Sequence, residues 1–114
     1  MGHVRVRYAR NPFTSAIQSR SAVVFMPDDY HLNILVGLPA IAIRIAFIVA
    51  ANVDPETGIA YCPYLTIRRY LPQQVSNLRT HMGYAIAANI MQRGEKLHTY
   101  YLNPGVFRPI SINF

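Results

Sequence analysis

From Ala40 to Val53 large and small side chains alternate almost without a break. Ile41, Ile43, Ile45, Phe47, Val49 and Val53 share one parity, and Ala40, Ala42, Arg44, Ala46, Ala50 and Asn52 share the other. A period of two is the strand period. Asp54-Pro55-Glu56-Thr57-Gly58 follows, a composition suited to a turn, and then a second apolar run from Ile59 to Leu71. The pattern predicts one long β-hairpin, 40–53 against 59–71, which anchors the fold and leaves the chemistry open.

Shorter strands are expected on both sides. Val4-Arg5-Val6-Arg7-Tyr8 alternates apolar and basic residues. Ala22 to Met26 reads as a strand closed by Pro27-Asp28-Asp29, and His31 to Leu38 as another, broken at Pro39 because proline cannot donate to a ladder. Residues 73–93 read as the one main helix. Val75, Leu78, Met82, Ala85, Ile86 and Ile90 recur at three- and four-residue steps, and Gly94 supplies a left-handed stop. Gly83 weakens that helix or marks close packing. Leu97 to Leu102 and the alternating Ile110, Ile112 and Phe114 read as closing strands. The expected fold class is α+β: a mostly antiparallel sheet of about five to six strands, carrying the 40–53/59–71 hairpin and covered by helix 73–93. Residues 1–114 fit a single domain, with 1–20 as a basic N-terminal strand or arm.

The run from Leu32 to Val53 carries one charge, Arg44, and its length alone would admit a membrane helix. Arg44 near its middle, Gly37 and Pro39 within it, and the strand-like alternation argue against a span. The opening residues do not read as a classical secretory signal, and the expected location is intracellular or within a particle rather than secreted.

Charge is sparse and one-sided. Eleven basic residues stand against five acidic ones, for a net charge of +6, and Lys96 is the only lysine. Arginine presents a planar fork of donors suited to phosphate and carboxylate, and it stacks on rings. The hairpin register sharpens this. If Asp54 and Gly58 close the turn, Arg44 lies directly opposite Arg68, an arrangement that destabilises a sheet unless an anion sits between the two. The same face would carry Ala42, Ala46, Tyr64, Thr66 and Tyr70, giving room, ring faces and hydroxyls for a phosphate with an adjoining base or sugar. A slip of one residue would separate the pair, and these arginines have an alternative use in snorkelling to water or pairing with Asp28, Asp29, Glu56 or Glu95. The expected binding residues are Arg44, Arg68, Arg69, Tyr70 and Tyr64, with Arg5 and Arg7 as sequence-independent helpers.

Other chemistry finds little footing. His3, His31, His81 and His98 have no metal spacing with one another, with Cys62 or with a carboxylate. Cys62 stands alone, so no internal disulfide is available, and a lone strand cysteine is most often a small buried hydrophobe. Four of the five carboxylates fall in expected turns. The segment Val53-Asp54-Pro55-Glu56-Thr57-Gly58-Ile59 resembles the hairpin turn of the 6-pyruvoyl-tetrahydropterin synthase (tunnelling) family, in which a helix and later strands also follow. That resemblance implies zinc histidines ahead of the turn. Here residues 40–44 read Ala-Ile-Ala-Ile-Arg, so neither activity nor metal carries over.

The chain therefore reads as a non-enzymatic basic binding and assembly module of the coat, packaging or accessory type. It would contact nucleic acid or another polyanion and self-associate as a homo-oligomer, with no catalytic residue, metal or cofactor assigned. Two alternatives stand beside it. One is a small subunit of a membrane or organellar complex, using 32–53 as a span or buried interface. The other is a small ligand-binding domain or enzyme with a pocket on the sheet face.

Overall fold

The computed structural model describes residues 20–112. The expected strand at 4–8, with Arg5 and Arg7, lies outside the described residues, as does Phe114. Ten elements follow in order: β1 (Arg20–Phe25), α1 (Asp29–Val36), α2 (Ala40–Ala51), β2 (Val53–Asp54), β3 (Ile59–Tyr61), α3 (Tyr64–Arg68), α4 (Val75–Ala87), β4 (Met91–Arg93), β5 (Thr99–Leu102) and β6 (Phe107–Ile112). The class is α+β, but the strands form two antiparallel sheets rather than one: a pair β1–β6 and a four-stranded sheet ordered β2-β3-β5-β4.

The long hairpin is the main correction. Residues 40–51 are a helix, and only Val53–Asp54 and Ile59–Tyr61 pair across the turn. The alternation in this run is one of size and not of polarity, because both parities are apolar. Burial follows the helical rule instead: Ala42, Ile45, Ala46 and Val49 are buried, at steps of three, four and seven from the first. Five of the twelve residues are alanine, the strongest helix former, and Pro39 sits just ahead of the first turn. The helix stops at Asn52, whose side-chain amide donates to the Ile48 carbonyl at 2.8 Å and so satisfies one of the orphan acceptors of the last turn.

The expected strand 31–38 is likewise helical as far as Val36. Asp28 caps α1, with Oδ1 accepting from the His31 N–H at 2.8 Å, and Asp29 adds favourable negative charge to the first turn. Pro27-Asp28-Asp29 thus ends a strand and also starts a helix. Where two strands broken at Pro39 are expected, and a span is the alternative, the run holds two short helices separated by Gly37 to Pro39. No helix among the described residues is long and apolar enough to cross a membrane; the twelve residues of α2 reach about 18 Å.

The turn itself lies where expected, with its register moved by one. Asp54 pairs with Ile59 and Val53 with Ala60. Gly58 adopts φ +74°, and its N–H reaches the Asp54 carbonyl at 2.7 Å. The Asp54 carboxylate accepts from the Glu56 N–H at 2.9 Å, which tightens the loop from inside. The second run leaves the sheet after Tyr61, since Pro63 has no N–H to give, and becomes α3.

The main helix is shorter than the expected 73–93. It ends at Ala87, with Ala88 as its C-cap, because Asn89 takes the left-handed conformation, φ 61°, which asparagine tolerates. Ile90 and Met91 then turn into the sheet and are fully buried. Gly94 is not the helix stop but part of the β4–β5 turn, pressed against the Thr99 side chain with no room for a Cβ. Gly83 faces open space, so close packing is not its reason.

Helices α2 and α4 pack on each other and cover one face of the four-stranded sheet. The core there includes Ile45, Val49, Ala60, Cys62, Ile67, Leu78, Met82 and Tyr100. A smaller cluster of Leu35, Ala46, Ile90, Val106 and Phe107 ties α1 and the β1–β6 pair to the rest. Three rings, Phe25, Phe47 and Phe107, meet edge to face or tilted, with centroids 5.0–5.9 Å apart. They fasten β1–β6 to α2.

Candidate functional site

Arg44 does not face Arg68 across a ladder. It projects from α2, while Arg68 lies in the last turn of α3, where its charge complements the helix dipole. Arg44 nevertheless meets Tyr70. Together with Phe47, Ile48 and Leu71 they line a shallow apolar groove of about 250 Å³ between α2 and the end of α3. Tyr70 is 68% exposed there. Arg68 and Arg69 are exposed beside it in the chain but do not line the groove. Tyr64, at the start of α3, turns to another neighbour: its ring meets His98 edge-on at 5.8 Å. The expected anion clamp between Arg44 and Arg68 is thus replaced by an exposed basic and aromatic surface on α2–α3.

The alternative use of the arginines, pairing with the acids, does not occur among the described residues. The single acid–base contact there is His31 Nδ1 to Asp28 Oδ1 at 2.7 Å. Arg44, Arg68, Arg69, Arg79, Arg93 and Lys96 are exposed, with no carboxylate in ion-pair reach among the described residues. A second cleft, of about 270 Å³, forms at the β4–β5 turn, where Arg93, Lys96 and His98 gather with Glu95 around the buried Tyr100. Burial raises the Tyr100 hydroxyl pKa, and the Arg93 charge offsets part of that rise. In this turn His98 holds φ 62°.

His31 is the centre of a tie that sequence patterning did not reveal. Its Nδ1 faces Asp28, and its Nε2 lies 3.2 Å from the Asn103 amide nitrogen. That amide is oriented by two backbone partners, donating to the Asn89 carbonyl at 2.6 Å and accepting from the Gly105 N–H at 2.8 Å. The arrangement selects the imidazole with its proton on Nδ1 and an accepting Nε2. It fastens α1 to the β5–β6 turn. A Cβ on Gly105 would stand 2.8 Å from His31 Cε1, so only glycine lets this turn approach. The Asp28 carboxyl is held below its ordinary pKa, first by the His31 backbone N–H and then by the His31 ring.

Cys62 is fully buried. Burial raises its thiol pKa to about 11, which leaves it a packed hydrophobe and not a nucleophile at neutral pH. Among the described residues no three His, Cys, Asp or Glu side chains gather to hold a metal ion.

The chain matches no protein-family model, no curated protein and no solved structure.

Proposed function

We propose that this chain is a non-enzymatic basic binding and assembly module that meets nucleic acid or another polyanion through the surface of α2 and α3. Arg44, Arg68 and Arg69 supply charge, and Tyr70 supplies a ring beside Arg44. The observation that carries the reading is the lack of any arginine–carboxylate pair among the described residues. Guanidinium groups already engaged by acids would have to be released before binding phosphate; these need no such step. Their exposure also lets bound counterions leave when phosphate arrives, which drives association at low salt.

Self-association is the second half of the proposal. Leu32, Val36, Phe47 and Leu65 are large apolar side chains left exposed. The β1–β6 pair has only two strands, and such a ribbon gains from further pairing or cover.

The test is binding of the full chain to a single-stranded oligonucleotide, a duplex and polyphosphate across a salt series, with light scattering on the same samples. The proposal expects binding that weakens steeply with salt and a species larger than a monomer. Absence of binding at low salt would overturn it.

A further inference from the structure

The helices cover one face of the four-stranded sheet; the other carries the exposed Asp54, Tyr61, Gln92 and Tyr101 and is bordered by the β1–β6 pair where Val23, Phe107 and Pro109 share a cleft with Tyr101. On that second face Gln92, Tyr101, Ile59 and Asp54 form one row across the strands, and Thr99 with Tyr61 forms the next. Tyr101 and Tyr61 are therefore diagonal neighbours, about 7–8 Å apart. They are 40% and 61% exposed. Exposed tyrosine rings on a sheet offer flat apolar faces with a polar hydroxyl at the tip, a surface suited to stacking.

Tyr101 has a cleft on each side, the one toward β2 being mainly apolar and carrying Glu56. The one toward β4 holds about 350 Å³ and is lined by Asn89, Gln92, Asn103 and Pro104, with more polar than apolar surface and no charged residue. The Asn103 amide is committed to the His31 tie. The Gln92 and Asn89 side-chain amides make no hydrogen bond among the described residues. A ring face flanked by two open amides suits a planar, neutral heterocycle with donors and acceptors on its edge. Amides of Asn and Gln pair with the edges of purines in this way, and aromatic side chains stack bases with little sequence preference.

The surroundings indicate what the heterocycle is attached to. Strand β5 runs from Tyr101 back past Thr99 to the turn that holds Lys96 beside Glu95, while Arg93, paired with the buried Tyr100, alternates to the covered face. Three residues of strand, roughly 10 Å, separate a neutral ring-binding cleft from the turn that carries the Lys96 ammonium, and Tyr61 lies along the way. A base on Tyr101 would thus carry its phosphate toward Lys96, with a second base over Tyr61. A duplex hides its base faces, so only an unpaired strand fits this surface.

We infer that this exposed sheet face is a single-strand nucleic-acid site, with Tyr101 and Gln92 receiving one unpaired base. The inference rests on the polyanion reading for its charge and adds a base-dependent component to it. Binding of an oligodeoxyadenylate is compared with that of an abasic oligomer of equal length and charge. The intact strand binds the wild-type chain more tightly. Tyr101→Ala weakens it about 5- to 150-fold, the range for loss of one stacked base, and leaves abasic binding unchanged. Tyr101→Phe retains the preference and Gln92→Ala reduces it. Equal binding of intact and abasic strands would overturn the site and leave the basic module standing. Free adenosine supplies an independent arm: it shifts the amide resonances of Gln92 and Tyr101 in the unaltered chain. Adenosine shifts without oligonucleotide binding would overturn the single-strand site together with the polyanion function and leave only a nucleoside cleft. Neither signal would remove both.

Discussion

Replacing Arg44, Arg68 and Arg69 together with alanine is the sharpest perturbation of the α2–α3 surface. None of the three contacts a carboxylate among the described residues, and all are exposed. The substitution should therefore leave the thermal unfolding midpoint nearly unchanged; exposed sites of this kind usually cost within ~0.5 kcal/mol. Binding is where the loss appears. Each phosphate contact on a single strand contributes about 0.7 to the slope of log affinity against log salt, so three contacts contribute about 2. Between 50 and 200 mM salt that difference amounts to a roughly 20-fold change. Fluorescence anisotropy with a labelled oligonucleotide measures both slopes. The triple variant should show a slope shallower by about 2 and weaker binding at low salt. An unchanged slope would refute the assignment of these arginines, whatever happened to the affinity.

Three further outcomes follow from the packing. Cys62 should resist a thiol reagent at neutral pH in the native chain and react at the ordinary rate in denaturant, because burial both hides it and raises its pKa to about 11; fast native labelling would contradict that. Gly83→Ala should stabilise the protein by ~0.5–1 kcal/mol in chemical unfolding, since the added methyl meets open space in a helix and glycine is the poorer helix former. The Asp28 carboxyl titrates lower in the folded chain than in the unfolded one. Its stabilising contribution is thus complete above the ordinary carboxylate pKa of about 4 and is lost as pH falls through the lowered folded value. Asp28→Asn should flatten that acid limb in a pH series of unfolding midpoints; an identical limb would exclude Asp28 as its source.

The parts of the fold legible in the sequence were those with an unambiguous local cause. Asp54 to Gly58 can do little but turn, and the polar Gln73 to Arg93 stretch has a clean apolar stripe that places α4. The strands at 20–25, 99–102 and 107–112 lie close to their expected positions. The run 32–53 was misread because almost every side chain in it is apolar. Without polar residues to mark the wet face, size alternation imitates a strand, while the buried set Ala42, Ile45, Ala46 and Val49 already carries the helical step. The five alanines and the Asp28 cap were the available counter-signals. The surface was only half legible for the same reason. Arg44 and Tyr70 do share a groove, through packing of α2 against α3 and not through a ladder, whereas Tyr64 leaves for His98. The His31–Asn103 tie links residues 72 apart, and no local pattern announces a contact of that range.

The most direct test of the account is an amide chemical-shift map of the chain titrated with a short single-stranded oligonucleotide at low salt. The account predicts perturbations on Arg44, Arg68, Arg69 and Tyr70, with a second group at Gln92 and Tyr101. Saturable perturbations confined to the α1 region and the β1–β6 pair, with α2–α3 silent, would contradict it.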